Sequence, residues 1–240
     1  MLQTPNSPPA DLALVYLPTR KGEDKGVLGV WSDHYSRSGN TAMPTLITIP
    51  TVLVPAFWPY RVIRPVVRVP SVHWTAAYRT IWLKLQAYRL LGRCVVLDAD
   101  AYPIDYIGGL AAVTAPIAMP PGPVVDIGMP EPVAPLSTGV MLIDSPDFEK
   151  IYLEYYARYD GSQAARHPAY AEQCASLAHA KLGGSVLNAG YNGDPADPGR
   201  SRILHCRTDP QICAPGLGHA PVPWMTENHQ ALVTNREDVS

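Results

Sequence analysis

Apolar positions along the chain follow two rhythms. Continuous apolar runs bounded by turn residues predict buried strands, and apolar residues three or four apart predict helices. The run "LALVYLP" (12–18) predicts a first buried strand, and "TRKGEDKG" (19–26) a polar loop. The stretches "TLITIPTVLVP" (45–55) and "YRVIRPVVRVP" (60–70) are β-branched, but prolines at 50, 55, 65 and 70 cut them into short or edge pieces. From Trp74 to Leu91 apolar side chains recur at 74, 78, 81, 82, 85, 88 and 91, which predicts a helix stopped by Gly92. A buried strand at 94–98 follows. Residues 115–135 hold seven prolines and read as a long, semi-rigid loop that shapes a cleft. "STGVMLID" (137–144) is another buried strand. A helix then begins with Ser145 as cap, Pro146 in the first position, and Asp147 and Glu149 at the positive helix end. Its stripe is Phe148, Ile151, Tyr152, Tyr155 and Tyr159, tyrosines read as core. A further helix spans about 168–182 and stops at Gly183 and Gly184, and "SRILHCRT" (201–208) is a last strand.

Strands alternating with helices predict an α/β sandwich with a mixed, mostly parallel central sheet. Residues 1–10 are polar and Pro-rich and read as a disordered lead, 11–208 as one domain, and 209–240 as an irregular tail. With 240 residues and 47% apolar content the chain can bury a substantial core. No apolar run approaches the roughly 18–20 residues that cross a bilayer. The N-terminus lacks a basic lead followed by an apolar stretch and a cleavage site, so the expected location is cytoplasmic. Cys94, Cys174, Cys206 and Cys213 form no C-x-x-C pair and read as reduced thiols. Charge changes the picture more. No acidic residue lies between Asp33 and Asp98, while that span carries Arg37, Arg61, Arg64, Arg68, Arg79, Lys84, Arg89 and Arg93. The span is +8, and with a net charge of −2 the remainder carries −10. Such a span is either a solvated basic face or a surface for a phosphate-bearing ligand.

The chemistry concentrates in "CVVLDADAYPI" (94–104). An apolar strand runs straight into Asp98 and Asp100. If the strand stays extended, alternation puts both carboxylates on one side. Two like charges that close need a positive partner. Ligands of open α/β sheets gather beyond the carboxyl ends of the strands. Hard divalent ions such as Mg²⁺ and Mn²⁺ take carboxylate oxygens and bridge them to phosphates. Asp98 and Asp100 are therefore candidate ligands of a metal that carries a diphosphate. His205, near the end of another apolar run, is a candidate third ligand, since Mn²⁺ accepts nitrogen.

The run "WLKLQAYRLLGRCVVLDADAYPI" resembles the donor-site region of glycosyltransferase family 8, in particular its glycogenin-like members. There a helix Lys precedes an apolar strand that ends in D-A-D. "LSTGVMLIDSPDFEKIYLEYY", "AEQCASLAHA", "AGYNG" and "ILHCRT" resemble, in order, the family's N-S-G-V strand, D-Q helix, Y-N loop and late histidine strand. The resemblance covers about residues 80–208. It implies a GT-A fold and transfer of a sugar from a nucleotide-diphosphate sugar, a UDP-sugar above all, with retention and with Mn²⁺ or Mg²⁺. It implies Asp98, Asp100 and His205 as metal ligands around the intervening Ala99. Lys84 would contact the donor, and Ser137, Thr138 and Gly139 would line the sugar. Glu172 and Gln173 would flank the reacting carbon. Tyr191 and Asn192 belong to the Y-N loop, Leu17 and Thr19 are candidates for the uridine side, and Arg207 for the phosphate. Ser137 stands where the family has Asn, Glu172 where it has Asp, and the late H-x-x-G-x-x-K-P-W pattern is absent.

Two other classes fit the same residues. A nucleotidyltransferase also places carboxylates and Mg²⁺ on an α/β sheet, but "TRKGEDKG" is a poor Gly-rich loop for it. A non-catalytic sugar-nucleotide binding module would account for the departures at Ser137 and Glu172. The acceptor stays open between an anionic partner such as nucleic acid, which the basic span suggests, and a protein. Oligomers are compatible with all three readings.

Overall fold

Two apolar runs make the centre of the sheet. β1 (Asp11–Val15) and β4 (Cys94–Asp98) lie in parallel, from Asp11 against Cys94 to Val15 against Asp98. They are apolar nearly throughout because both their faces are covered. The computed structural model describes residues 10–17, 27–52, 54, 56, 58–65, 76–124, 127–129, 131, 133–159, 167, 169–193 and 201–205. Beside β1 come β2 (Thr45–Ile47) and then β3 (Arg61–Ile63), both parallel. On the other side of β4 lie β7 (Val140–Ile143), β6 (Ile117–Met119) and β8 (Ser185–Val186), giving the order β3-β2-β1-β4-β7-β6-β8. Only β7 runs against the rest of this seven-stranded sheet. A second, two-stranded sheet pairs β5 (Ala101–Pro103) with β9 (Ile203–His205) in antiparallel register.

Alternate residues of the central strands feed two cores. Ala13, Val15, Cys94, Val96, Met141 and Ile143 pack under α2 (Ala76–Leu91), α3 (Asp147–Tyr159) and α4 (Tyr170–Leu182). Leu12, Leu14, Val95 and Leu97 pack on the opposite face with α1 (Val27–Arg37), Trp58 and Tyr102. The helix stops fall where expected. Gly92 and Gly183 take φ of 75° and 67°, a conformation that suits glycine, and Gly92 N–H donates to Tyr88 O at 2.8 Å. Ser145 Oγ accepts from Asp147 N–H at 3.2 Å and caps α3. Phe148 and Tyr152 are buried, and Ile151, Tyr155 and Tyr159 are half-buried against the same cluster, so Tyr152 is core and the other two tyrosines line its edge.

The sequence expectations need three corrections. The segment 115–135 is not all loop, because β6 runs through it. Pro116 and Pro120 flank that strand, and their carbonyls accept from Asp144 N–H and Ser137 N–H at 2.9 Å each, so the prolines contribute to the ladder as acceptors. The apolar run 137–144 is a strand only at Val140–Ile143, since the chain bends at Thr138 and Gly139. α1, β5 and β8 had no counterpart in the sequence reading. Residues 18–26 and 206–240 lie outside the described residues. No helix among the described residues is long and apolar enough to cross a membrane.

Candidate active site

Asp98 is the last residue of β4, and its N–H donates to Gly139 O at 2.9 Å. The chain then turns at Ala99 and Asp100. A turn rather than the strand pleat thus brings the two carboxylates together. Trp31 of α1 pins the far side of this turn, donating from Nε1 to Ala101 O at 2.9 Å. Since β5 pairs Ala101 with His205, the imidazole arrives next to Asp100. One ligand atom each from Asp98, Asp100 and His205 lie within 4.8 Å of one another.

The surroundings fix each group. Lys84, from α2, is only 2% exposed, and its ammonium donates to Asp98 Oδ2 at 2.6 Å, Thr138 O at 2.8 Å and Thr138 Oγ1 at 3.2 Å. Asp98 Oδ1 is buried and has no hydrogen-bond partner among the described residues. Burial pushes the Asp98 carboxyl above its ordinary value, helped by the Asp100 charge, with Lys84 opposing. Burial pushes Asp100 the same way, but His205 and Lys84 outweigh it and hold Asp100 below its ordinary value. Both side chains still reach solvent, with 15% and 28% of their surface exposed. His205 Nε2 lies 3.4 Å from Asp100 Oδ1, and its Nδ1 lies 2.9 Å from Asn192 Oδ1 and 3.4 Å from Ser137 Oγ.

Gly139 makes this approach possible. A Cβ there would stand 2.0 Å from His205 Cε1, so any larger residue would displace the ring. On the other side, Glu172, in the first turn of α4, accepts from Thr138 N–H at 3.3 Å. Ser176 ties the same segment to α4, accepting from Leu136 N–H and donating to Glu172 O. Ser137, Thr138 and Gly139 therefore join Lys84, Glu172 and His205 in one cluster. Gln173 lies beside Glu172, half-buried, with its N–H on Ala169 O. Asn192 joins through His205. Tyr191 belongs to the same short turn (Ala189–Asn192) but packs toward Gly109 and the core. Ala99 is buried in the turn, and Leu17 is buried in the core under α2, α3 and α4. Thr19 and Arg207 lie outside the described residues.

Sequence reasoning missed Trp31 as the support of the Asp100 turn, and Pro121, whose carbonyl accepts from Asn192 Nδ2. The signal for Trp31 was present. Leu28, Trp31 and Tyr35 are spaced as a helix stripe, and all three are buried. A groove of about 750 Å³ between α2 and α3 lies elsewhere, at the other end of β4. Ile143, which lines it, pairs with Cys94 at the start of that strand.

The donor set suits a hard divalent cation. Two carboxylates and one imidazole converge, and one carboxylate oxygen is buried without a partner among the described residues.

A mostly parallel sheet with one reversed strand, helices on both faces and acidic side chains at the carboxyl end of a central strand is the arrangement of the GT-A fold. Among solved structures the chain is similar to GlyE, a glycosyltransferase of Streptococcus pneumoniae TIGR4, with 12% identity and a TM-score of 0.61 over 92% of this chain. It spans 59% of the GlyE chain. It is also similar to an active-site mutant of LgtC, with 11% identity and a TM-score of 0.57, over 92% of this chain and 95% of that one. The bifunctional glycosyltransferase WbbM is similar at 10% identity and a TM-score of 0.50, over 95% of this chain and 52% of its own. No family profile and no curated protein matches the sequence.

Proposed function

We propose that the chain is a metal-dependent, retaining glycosyltransferase that moves a sugar from a nucleotide-diphosphate sugar, with a UDP-sugar as donor. The observation that carries this reading is the meeting of Asp98, Asp100 and His205 at the end of β4 in a GT-A fold. These three would hold Mn²⁺ or Mg²⁺. When bound, such an ion neutralises charge that builds on a departing diphosphate.

The protein's own groups divide the remaining work. Lys84 holds one oxygen of Asp98 and the Thr138 carbonyl, so it sets the edge of the donor site from behind. Ser137, Thr138 and Gly139 form the wall that would face the sugar. Glu172 anchors that wall through Thr138 N–H and, with Gln173, would flank the reacting carbon as polar groups that stabilise an oxocarbenium-like sugar. Asn192 closes the side next to His205, while Tyr191 supports the same turn from the core. Of the remaining candidates, Leu17 is taken up by the core, which leaves Thr19 for the base and Arg207 for the diphosphate as roles that rest on the resemblance alone.

The test is release of nucleoside diphosphate from a panel of nucleotide sugars, with and without Mn²⁺. Turnover should require metal and fall to background in Asp98→Asn and Asp100→Asn, with both variants still folded. Turnover in both variants equal to that of the unaltered chain would falsify the reading. Pyrophosphate released from nucleoside triphosphates instead would make the chain a nucleotidyltransferase. Metal-dependent donor binding without turnover on any acceptor would make it a binding module.

A further inference from the structure

His205 is held by more than its strand. Its N–H donates to Gly193 O at 3.0 Å, and Gly193 N–H donates to Ile203 O at 2.9 Å, so residues 192 and 205 are locked side by side by backbone bonds. Gly193 is crowded as well, since a Cβ there would stand 1.9 Å from Ser201 Oγ. Within this frame the Asn192 amide has one sensible orientation. Its Nδ2 donates to Pro121 O, a carbonyl that can only accept. Its Oδ1 is therefore the atom 2.9 Å from His205 Nδ1. An amide oxygen also only accepts, so Nδ1 must carry the hydrogen.

We propose that Asn192 is a positioning residue that fixes the hydrogen of His205 on Nδ1 and so presents Nε2 to a divalent cation shared with Asp98 and Asp100. The inference rests on the metal-site reading above and deepens it. A ring nitrogen that donates to a fixed acceptor makes the opposite nitrogen the ligand, and holds the ring in the ligating plane. Gly139 supplies the space and Asn192 the orientation. Ser137 Oγ, 3.4 Å from the same Nδ1, is the weaker contact, and it also accepts from Gly139 N–H at 3.3 Å. Asn192 thus acts through His205 and needs no contact with the donor.

The experiment measures Mn²⁺ affinity of the full chain from the electron paramagnetic resonance signal of free Mn²⁺, with no donor present. Asn192→Leu should bind Mn²⁺ about 10–100-fold more weakly, the usual effect of removing such a partner. Asn192→Asp, which keeps an oxygen for Nδ1, should recover most of that loss. His205→Ala and Asp100→Ala are the references. If neither reference weakens binding, the metal-site reading itself fails. If the references weaken binding and Asn192→Leu does not, the inference alone fails. Asn192→Asp as weak as Asn192→Leu would overturn it too. A second measurement uses no Asn192 variant. With ¹⁵N-labelled histidine and Zn²⁺ as a diamagnetic stand-in, the His205 signal, assigned by its loss in His205→Ala, should show a proton on Nδ1. A bare Nδ1 there overturns the inference.

Discussion

At Lys84 all three ammonium hydrogens point into the protein, at Asp98 Oδ2, Thr138 O and Thr138 Oγ1. A buried ion pair of this kind contributes little net stability, because desolvating both charges offsets their attraction. Removing one partner is another matter, since it strands the other charge. Lys84→Met should therefore lower unfolding stability by about 3–5 kcal/mol, read by urea denaturation. Adding Asp98→Asn to Lys84→Met should return part of that loss, because the stranded charge disappears and the two positions are coupled. A loss under about 1 kcal/mol in Lys84→Met, the range of exposed pairs, would mean that the pair does not hold Asp98. The same residue marks the limit of sequence reading. Asp98 was legible as a candidate from its place at the end of an apolar strand, and Lys84 only through the resemblance to the family's donor-site region. That the ammonium lies behind the carboxylate was not legible, because the bend at Thr138 that supplies its other acceptors is 54 residues away.

Among the elements, α3 was the most legible because its signals are local. Ser145, Pro146 and the first-turn acids stand next to one another in sequence, and the cap bond to Asp147 N–H is present. Ser145→Ala should cost about 1 kcal/mol, measured by urea denaturation, and Ser145→Asp should retain most of the stability. An unchanged midpoint in Ser145→Ala would show that packing of Phe148 and Tyr152 alone starts the helix. β6 was illegible for the opposite reason. It has three residues between two prolines, and its partners Val140–Ile143 and Ser185–Val186 come from far along the chain. A strand that short has no period to read, and only its neighbours make it a strand. The candidate site divides the same way. The Asp98–Asp100 pair lies within one short motif. The contacts of His205 with Asn192 and Ser137 span 13 and 68 residues and depend on the β5–β9 pairing.

Across the whole molecule, four of the eight basic residues of the acid-free span meet acids among the described residues. Lys84 pairs with Asp98, Arg89 with Glu149 at 2.7 Å, and Arg93 with Asp144, each acid coming from beyond the acid-free span. Arg37 pairs with Asp33 at its other edge at 3.0 Å. Half of the basic residues in the segment are therefore one side of an ion pair within the chain, which weakens the argument from the segment to an anionic acceptor. The pH response is left to other groups. Burial lowers His34, with Asp33 opposing and Arg37 assisting, and burial lowers His179 against its hydrogen bond to Ser185 O. Both start from an ordinary value of 6.5. In the unfolded chain they take up protons before the native chain does, so stability rises with pH across that window. It is fully present above the ordinary histidine value and is lost as pH falls through the lowered native values. Asp98 acts in the reverse sense above its ordinary value of 3.8, and Asp100 acts with the histidines but below 3.8. The thermal midpoint should consequently fall between about pH 7 and 5, the range in which histidine changes charge. His179→Gln keeps a donor near Ser185 O and removes the titration, so its midpoint should fall less over the same range. Parallel curves for the two proteins would rule out His179 as a source of acid sensitivity.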